Sequence, residues 1–392
     1  DGTRVELDGA TVRTAGAGAH GLYADQSDGL VTGSADVAVS GAGAMAALAA
    51  NGGTVALHSG KLKAAGDGAA AAGATSGGTL RLGAVDVQSD RGDGIALADS
   101  AVLDVQGARV RAAGAGISSS LTQAGQHQSI SIDAATQWMV SGPLLQVTRS
   151  GAGADGKVDA AWAAGAQVRG DLIDTGGASG PGGLYVTLGD GASYEGRTDG
   201  VRQFAATGNN RLSFQAGSTL GSLSVAAGGL AEGGTTAAPI RASGGVALNG
   251  ARLAGNWDIG GTLSARSGAV IDPGQSLGRI RAKAIDWRGA QYRVELGDAG
   301  QADRVDVTGA SAADLAGTKV AASALPGARV KLNRDYTVLT AQGGVTGRFA
   351  GLSWTGPSKL VKLLPVYGAN HAALRLAVDR DAINRLPLTP NG

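Results

Sequence analysis

The chain has 392 residues, and its 33 basic and 32 acidic side chains leave a formal charge of +1. With no basic block, this even balance excludes a phosphate-tracking surface and nucleic acid as a partner. There is no Cys, which excludes disulfides, thiolate catalysis and Cys-based zinc sites, and suits a polypeptide that must cross a membrane unfolded. Glycine is abundant at 68 residues and proline sparse at 9, while 43% of residues are hydrophobic but only 4% aromatic. Such text predicts short strands of small side chains separated by tight turns, with few large helices. No run reaches the roughly 18–20 apolar residues of a membrane helix. The opening Asp1-Gly2-Thr3-Arg4 carries no signal pattern, so the sequence is expected to be a mature piece of a longer protein.

From the N-terminus a phrase recurs: Thr11-Val-Arg-Thr-Ala-Gly16-Ala-Gly18, Asp36-Val-Ala-Val-Ser-Gly41-Ala-Gly43 and Lys61-Leu-Lys-Ala-Ala-Gly66-Asp-Gly68. It returns as Asp86-Val-Gln-Ser-Asp-Arg-Gly92-Asp-Gly94 and Arg109-Val-Arg-Ala-Ala-Gly114-Ala-Gly116. The first glycines step by 25 (16 to 41), 25 (41 to 66), 26 (66 to 92) and 22 (92 to 114). Between them lie alternating segments, Val5-Glu-Leu7, Val55-Ala-Leu57, Leu80-Arg-Leu82 and Val102-Leu-Asp-Val105. Each repeat therefore holds two or three short strands. One repeat alone cannot bury its apolar face; coils stacked at about 4.8 Å line a continuous core. The expected fold is all-β, a right-handed parallel β-helix in which the turn glycines supply positive φ, so that replacing Gly41 or Gly66 costs stability.

From 121 to 260 the repeat blurs, but the idiom persists in Ser129-Ile-Ser-Ile132, Leu184-Tyr-Val-Thr-Leu188, Leu212-Ser-Phe214 and Leu223-Ser-Val225. Near Gly261 the text changes, with Pro273, Pro326, Pro357, Trp287 and Trp354 beyond it. We expect β-helix repeats over 1–265, a C-terminal β capping module over 266–380 and a tail over 381–392. A cap is required physically, because open coils present unpaired strand edges.

The segment Pro273-Gly274-Gln275-Ser276-Leu277-Gly278 resembles the P-G-N-S-I-G phrase that precedes the autochaperone region of bacterial autotransporter passengers, with Gln275 for Asn and Leu277 for Ile. Tyr292-Arg-Val-Glu-Leu296, Asp303-Arg-Val-Asp-Val-Thr-Gly309 and Tyr336-Thr-Val-Leu-Thr-Ala341 through Phe349 are similar to that family's strand phrases, in the same order. The upstream repeats resemble pertactin-type passengers. The resemblance implies an autochaperone over 266–380, export through periplasm and outer membrane by the protein's own translocator barrel, and a place on the bacterial surface or outside the cell.

Arg91-Gly92-Asp93 and Arg169-Gly170-Asp171 are two copies of the integrin-binding tripeptide, whose charged ends must flare from a glycine turn. The first sits on the repeat's own turn and the second beside alternating Val168, Leu172 and Ile173, where ordinary polar turns also account for them. Gly16-Ala-Gly18-Ala-His20-Gly21 fits a dinucleotide fingerprint without the strand-then-helix unit it needs, and Gly151 to Lys157 nearly fits a phosphate loop but has Val158 where Ser or Thr is required. Gly189-Asp-Gly-Ala-Ser193 approaches the autotransporter serine protease phrase with Gly191 at the nucleophile position. His20, His58, His127 and His371 form no local metal motif. Asp36, Asp67, Asp86, Asp93 and Asp104 would ladder only if stacking aligned them.

These readings lead to the expectation of a non-enzymatic host-interaction protein that needs no cofactor or metal, monomeric and binding a host matrix protein, receptor or plasma factor for adhesion or complement evasion. Its binding loops would include 117–128 and 149–157. A carbohydrate-active β-helix enzyme and a self-associating biofilm adhesin are the alternatives.

Overall fold

A computed structural model describes residues 3–385 other than Ser179, Pro181, Ser267, Gln275 and Pro357. The chain is nearly all β, 57% strand and 3% helix, folded as a solenoid of about 13 parallel turns. It divides into two compact units, Asp1–Ser213 with Thr219–Ser222, and Phe214–Ser218 with Leu223–Gly392.

In the first unit the regular repeat becomes one long strand and one short strand per coil. The long strands Arg4–Thr14, Leu30–Val39, Thr54–Ala64 and Thr79–Ser89 pair in parallel, with Val31 on Val55 and Val55 on Leu80. The short strands Leu22–Asp25, Ala47–Ala50, Ala72–Thr75 and Ile95–Ala98 form a second parallel sheet. Alternation puts every second side chain inside, so the core is a set of ladders one residue wide. One ladder, Val55, Leu80, Leu103 and Ile130, is at most 1% exposed throughout. After Ser89 the long strand splits into Val102–Val105 and Arg109–Ala112, both still paired with Thr79–Ser89, and later coils carry three short strands.

The two glycines of the repeat have different duties. A Cβ on Gly41 would lie 1.9 Å from the Gly16 carbonyl oxygen, and one on Gly66 would lie 2.0 Å from that of Gly41, so the first glycine exists because successive coils touch there. The second, at Gly43 and Gly68, has φ of +65° and +63° with open space around it. The expected positive φ thus belongs to the second glycine of the pair, while the first is required by backbone contact. At the opposite corner the non-glycine residues Gln26, Asn51, Ser76 and Asp99 all have positive φ, between 50° and 67°. Asn51 Nδ2 donates to Asp25 Oδ1 at 2.7 Å, which ties this corner to the preceding coil.

In the second unit, parallel coils run through Val246–Asn249, Trp257–Arg266, Arg279–Asp286, Arg304–Val307 and Asp335–Ala341. Parallel pairing therefore continues across residue 266. Direction reverses at the end, where His371–Val378 pairs antiparallel with both Asp335–Ala341 and Val361–Tyr367. Pro365 and exposed Lys362 lie in Val361–Tyr367, residues that discourage further strand addition. Trp257, Trp287, Tyr292 and Tyr336 fill this unit's interior. Among the described residues no helix is long and apolar enough to cross a membrane.

Candidate functional site

Both Arg-Gly-Asp turns lie on coil corners with their ends engaged. Arg91 Nη1 is 2.6 Å from Asp67 Oδ1 on the preceding coil, while Asp93 Oδ1 accepts the Ala115 N–H of the next at 2.8 Å. Arg169 approaches Glu195 at 3.6 Å, and Asp171 Oδ1 accepts the Arg197 N–H at 3.0 Å. In each copy the carboxylate serves as a hydrogen-bond acceptor for the following coil, and the arginine lies exposed on the outer surface.

Stacking sorts the remaining acids by register. Asp36 pairs with Lys61, Lys61 with Asp86 and Asp86 with Arg109, so opposite charges alternate up that face. Among the described residues no group of three or more His, Asp or Glu is placed to hold a metal. Stacking also brings together residues far apart in sequence: His127 Nε2 lies 2.7 Å from Asp159 Oδ2, which Lys157 Nζ also approaches at 2.9 Å. Ser129, on the same outward face as His127, pairs in register with Asp159.

The expected binding segments are largely tied down. Residues Ile117–Leu121 form a strand, and Gln126 Oε1 accepts the N–H groups of Thr122 and Gln123. Segment Gly151–Asp155 is a 3-10 turn anchored by Arg149, whose guanidinium donates to the carbonyls of Ala154 and Gly177 and pairs with Asp174 at 3.0 Å. The side chains of Arg149 and Asp174 are 3% and 0% exposed, and Asp174 also accepts the N–H groups of Gly176 and Leu184.

A concave surface opens on the short-strand sheet of the first unit, a groove of about 440 Å3 whose lining includes His20, Met45, Ala96, Ser118, Ser120 and Thr148. Its sequence signal is faint, since small residues at outward strand positions look like any other turn-rich text. The second unit has an apolar hollow of about 550 Å3 that includes Leu332, Trp354, Val378 and Ile383.

The Pro273–Gly278 phrase lies in the second unit, with Gln275 outside the described residues. Pro273 ends strand Val270–Pro273, and the Gly278 N–H donates to Asp303 Oδ1 at 2.7 Å. Asp303 Oδ2 accepts the Glu295 N–H, also at 2.7 Å, so one fully buried carboxylate joins the turn to two further coil segments. Burial, with the nearby carboxylates of Glu295 and Asp272, pushes its pKa up to about 8 against the pull of those two N–H donors. Around it, Asp306 is held by Arg279, Arg304 and Thr340, and Asp272 by Arg252. The guanidinium groups of Arg288 and Arg266 hold the Asp286 carboxyl down at about 2.

No protein-family model matches the chain. An extracellular serine protease of Serratia marcescens is similar to it. The two are 33% identical over 153 residues, 36% of this chain, and the chain spans only 14% of that protein's length.

The expectation of a non-enzymatic chain is corrected by this similarity, which points toward an enzyme. That expectation rested on contiguous motifs such as Gly189 to Ser193, which the structure places on the corner between strands Gly183–Leu188 and Ser193–Gly196 of one coil. A solenoid assembles surface groups from different coils, as His127, Ser129 and Asp159 illustrate, so a missing local phrase does not decide the question. The relative's extracellular setting supports a secreted or cell-surface protein.

Proposed function

We propose that this chain is the passenger solenoid of a bacterial autotransporter, delivered through periplasm and outer membrane by its own translocator barrel, and that it binds host proteins at or beyond the cell surface. The observation that carries the reading is the parallel solenoid together with the Pro273–Gly278 turn pinned at Asp303. The extracellular relative adds support. A matrix protein, a receptor or a plasma factor would be the partner, met by surface turns such as those carrying Arg91 and Arg169. Immobilised chain should retain a defined human matrix or plasma protein at micromolar concentration. Retention of none, with the fold intact, refutes the reading.

The protease similarity favours a second reading, a contribution to extracellular proteolysis. Hydrolysis of fluorescent casein, lost on treatment with a serine-directed fluorophosphonate, supports it. Casein left intact at high enzyme concentration contradicts it.

A further inference from the structure

We propose that the groove on the short-strand sheet of the first unit is a binding site for an uncharged, linear oligosaccharide. At one end His20 and Tyr23 stack with ring centroids 6.0 Å apart, and Tyr23 is 50% exposed. This gives a flat aromatic face of the kind on which the C–H face of a pyranose rests. The Met45 thioether forms an adaptable wall, and a Cβ on Gly73 would meet its sulfur at 2.6 Å, so Gly73 leaves the room that side chain occupies.

The floor descends from this wall to small side chains. Thr75, Ala98, Ser120 and Thr148 stand in one register row, with Ser118 in the row beside it. Hydroxyls on Ser120 and Thr148 are thus one strand apart, about 4.8 Å, near the length of one sugar ring, and a chain of such rings laid across the strands would meet hydroxyls at Thr75, Ser120 and Thr148 and the Ala98 methyl between the first two. His20 is the only acid or base among the groove's lining residues. Its Nδ1 accepts the Met45 N–H at 3.0 Å and burial lowers its pKa, so the ring is neutral and carries its proton on Nε2. An apolar floor, hydroxyl rows and no fixed charge favour a neutral polyhydroxylated ligand over a charged one. This assignment goes beyond the host-protein reading and stands without it.

Saturation-transfer NMR and calorimetry on the full chain, with short linear gluco-, manno- and N-acetylglucosamine oligosaccharides, test the site. Binding by one series is expected, weakened about tenfold or more by Tyr23→Ala and abolished by Ala96→Trp, which fills the floor. Ile173→Ser, farther along the same sheet, leaves it unchanged, and all three variants keep the parent's circular dichroism melt. The proposal is overturned by no transfer from any series at millimolar concentration, by binding indifferent to both groove variants, or by preference for an uncharged Ser/Thr peptide over every sugar.

Discussion

The coils between Leu22 and Ala112 and the segment from Val270 to Ala341 solve the same stacking problem with different chemistry. In the first, neighbouring coils meet through glycine contacts and ladders of Ala, Val and Leu, so each coil repeats its predecessor. In the second, buried and half-buried carboxylates join coils, with Asp303 tied to Gly278 and Glu295, and Asp306 to Arg279, Arg304 and Thr340. Repetition spreads stability over many equivalent contacts, whereas a buried hydrogen-bonded carboxyl group concentrates it at one residue. Damage should therefore be graded in the first region and abrupt in the second.

The buried Arg149–Asp174 pair in the first unit carries the abrupt kind of contact outside the C-terminal segment. Arg149→Leu, which strands Asp174 and frees two carbonyls, should cost about 3–5 kcal/mol in urea unfolding. A loss near that of an exposed ion pair would show that the charge does not hold the 149–157 segment.

Asp303→Ala leaves the N–H groups of Gly278 and Glu295 without their acceptor and should cost about 2–4 kcal/mol. The pH dependence is diagnostic. Because the folded pKa stands near 8, above the ordinary 3.8, the folded form binds the proton more tightly. The stabilisation is full below pH 4 and is lost as pH rises through 8. The second unit's melting temperature should fall over that window, less steeply in Asp303→Asn; equal slopes in both proteins would contradict the assignment.

Within the regular coils, Gly41→Ala forces a Cβ onto the Gly16 carbonyl and should cost about 2–3 kcal/mol, as overpacking does. Gly43→Ala meets only the left-handed backbone penalty, about 1–2 kcal/mol. Thermal melts giving the reverse order would mean that turn conformation, and not contact between coils, sets the repeat. The smallest effect is expected at Asp93→Ala, about 1 kcal/mol for the lost bond to Ala115. An unchanged melt would mean that the carboxylate is free to serve a receptor.

Much of the fold was legible because a 25-residue step, alternating apolar positions and paired glycines all state one local rule repeated. The positive φ at Asn51, Ser76 and Asp99 was not, since those residues follow no glycine code and owe their conformation to the corner they share. Nor were Asp303 and Asp174, acids in alternating strand text whose burial depends on partners 10 to 25 positions away. The site was less legible still. His20 precedes a glycine turn, and only stacking places Ser118 and Ser120, several coils on, in the groove that it lines. The catalytic question shows the same limit, because a solenoid brings together groups from separate coils that no contiguous motif records.

The most direct test of the surface assignment is labelling of intact Gram-negative cells carrying the complete gene with a membrane-impermeant amine reagent. Lys61, Lys319 and Lys362 are exposed. The account predicts that they are modified before the cells are broken, whereas lysines protected until lysis would contradict it.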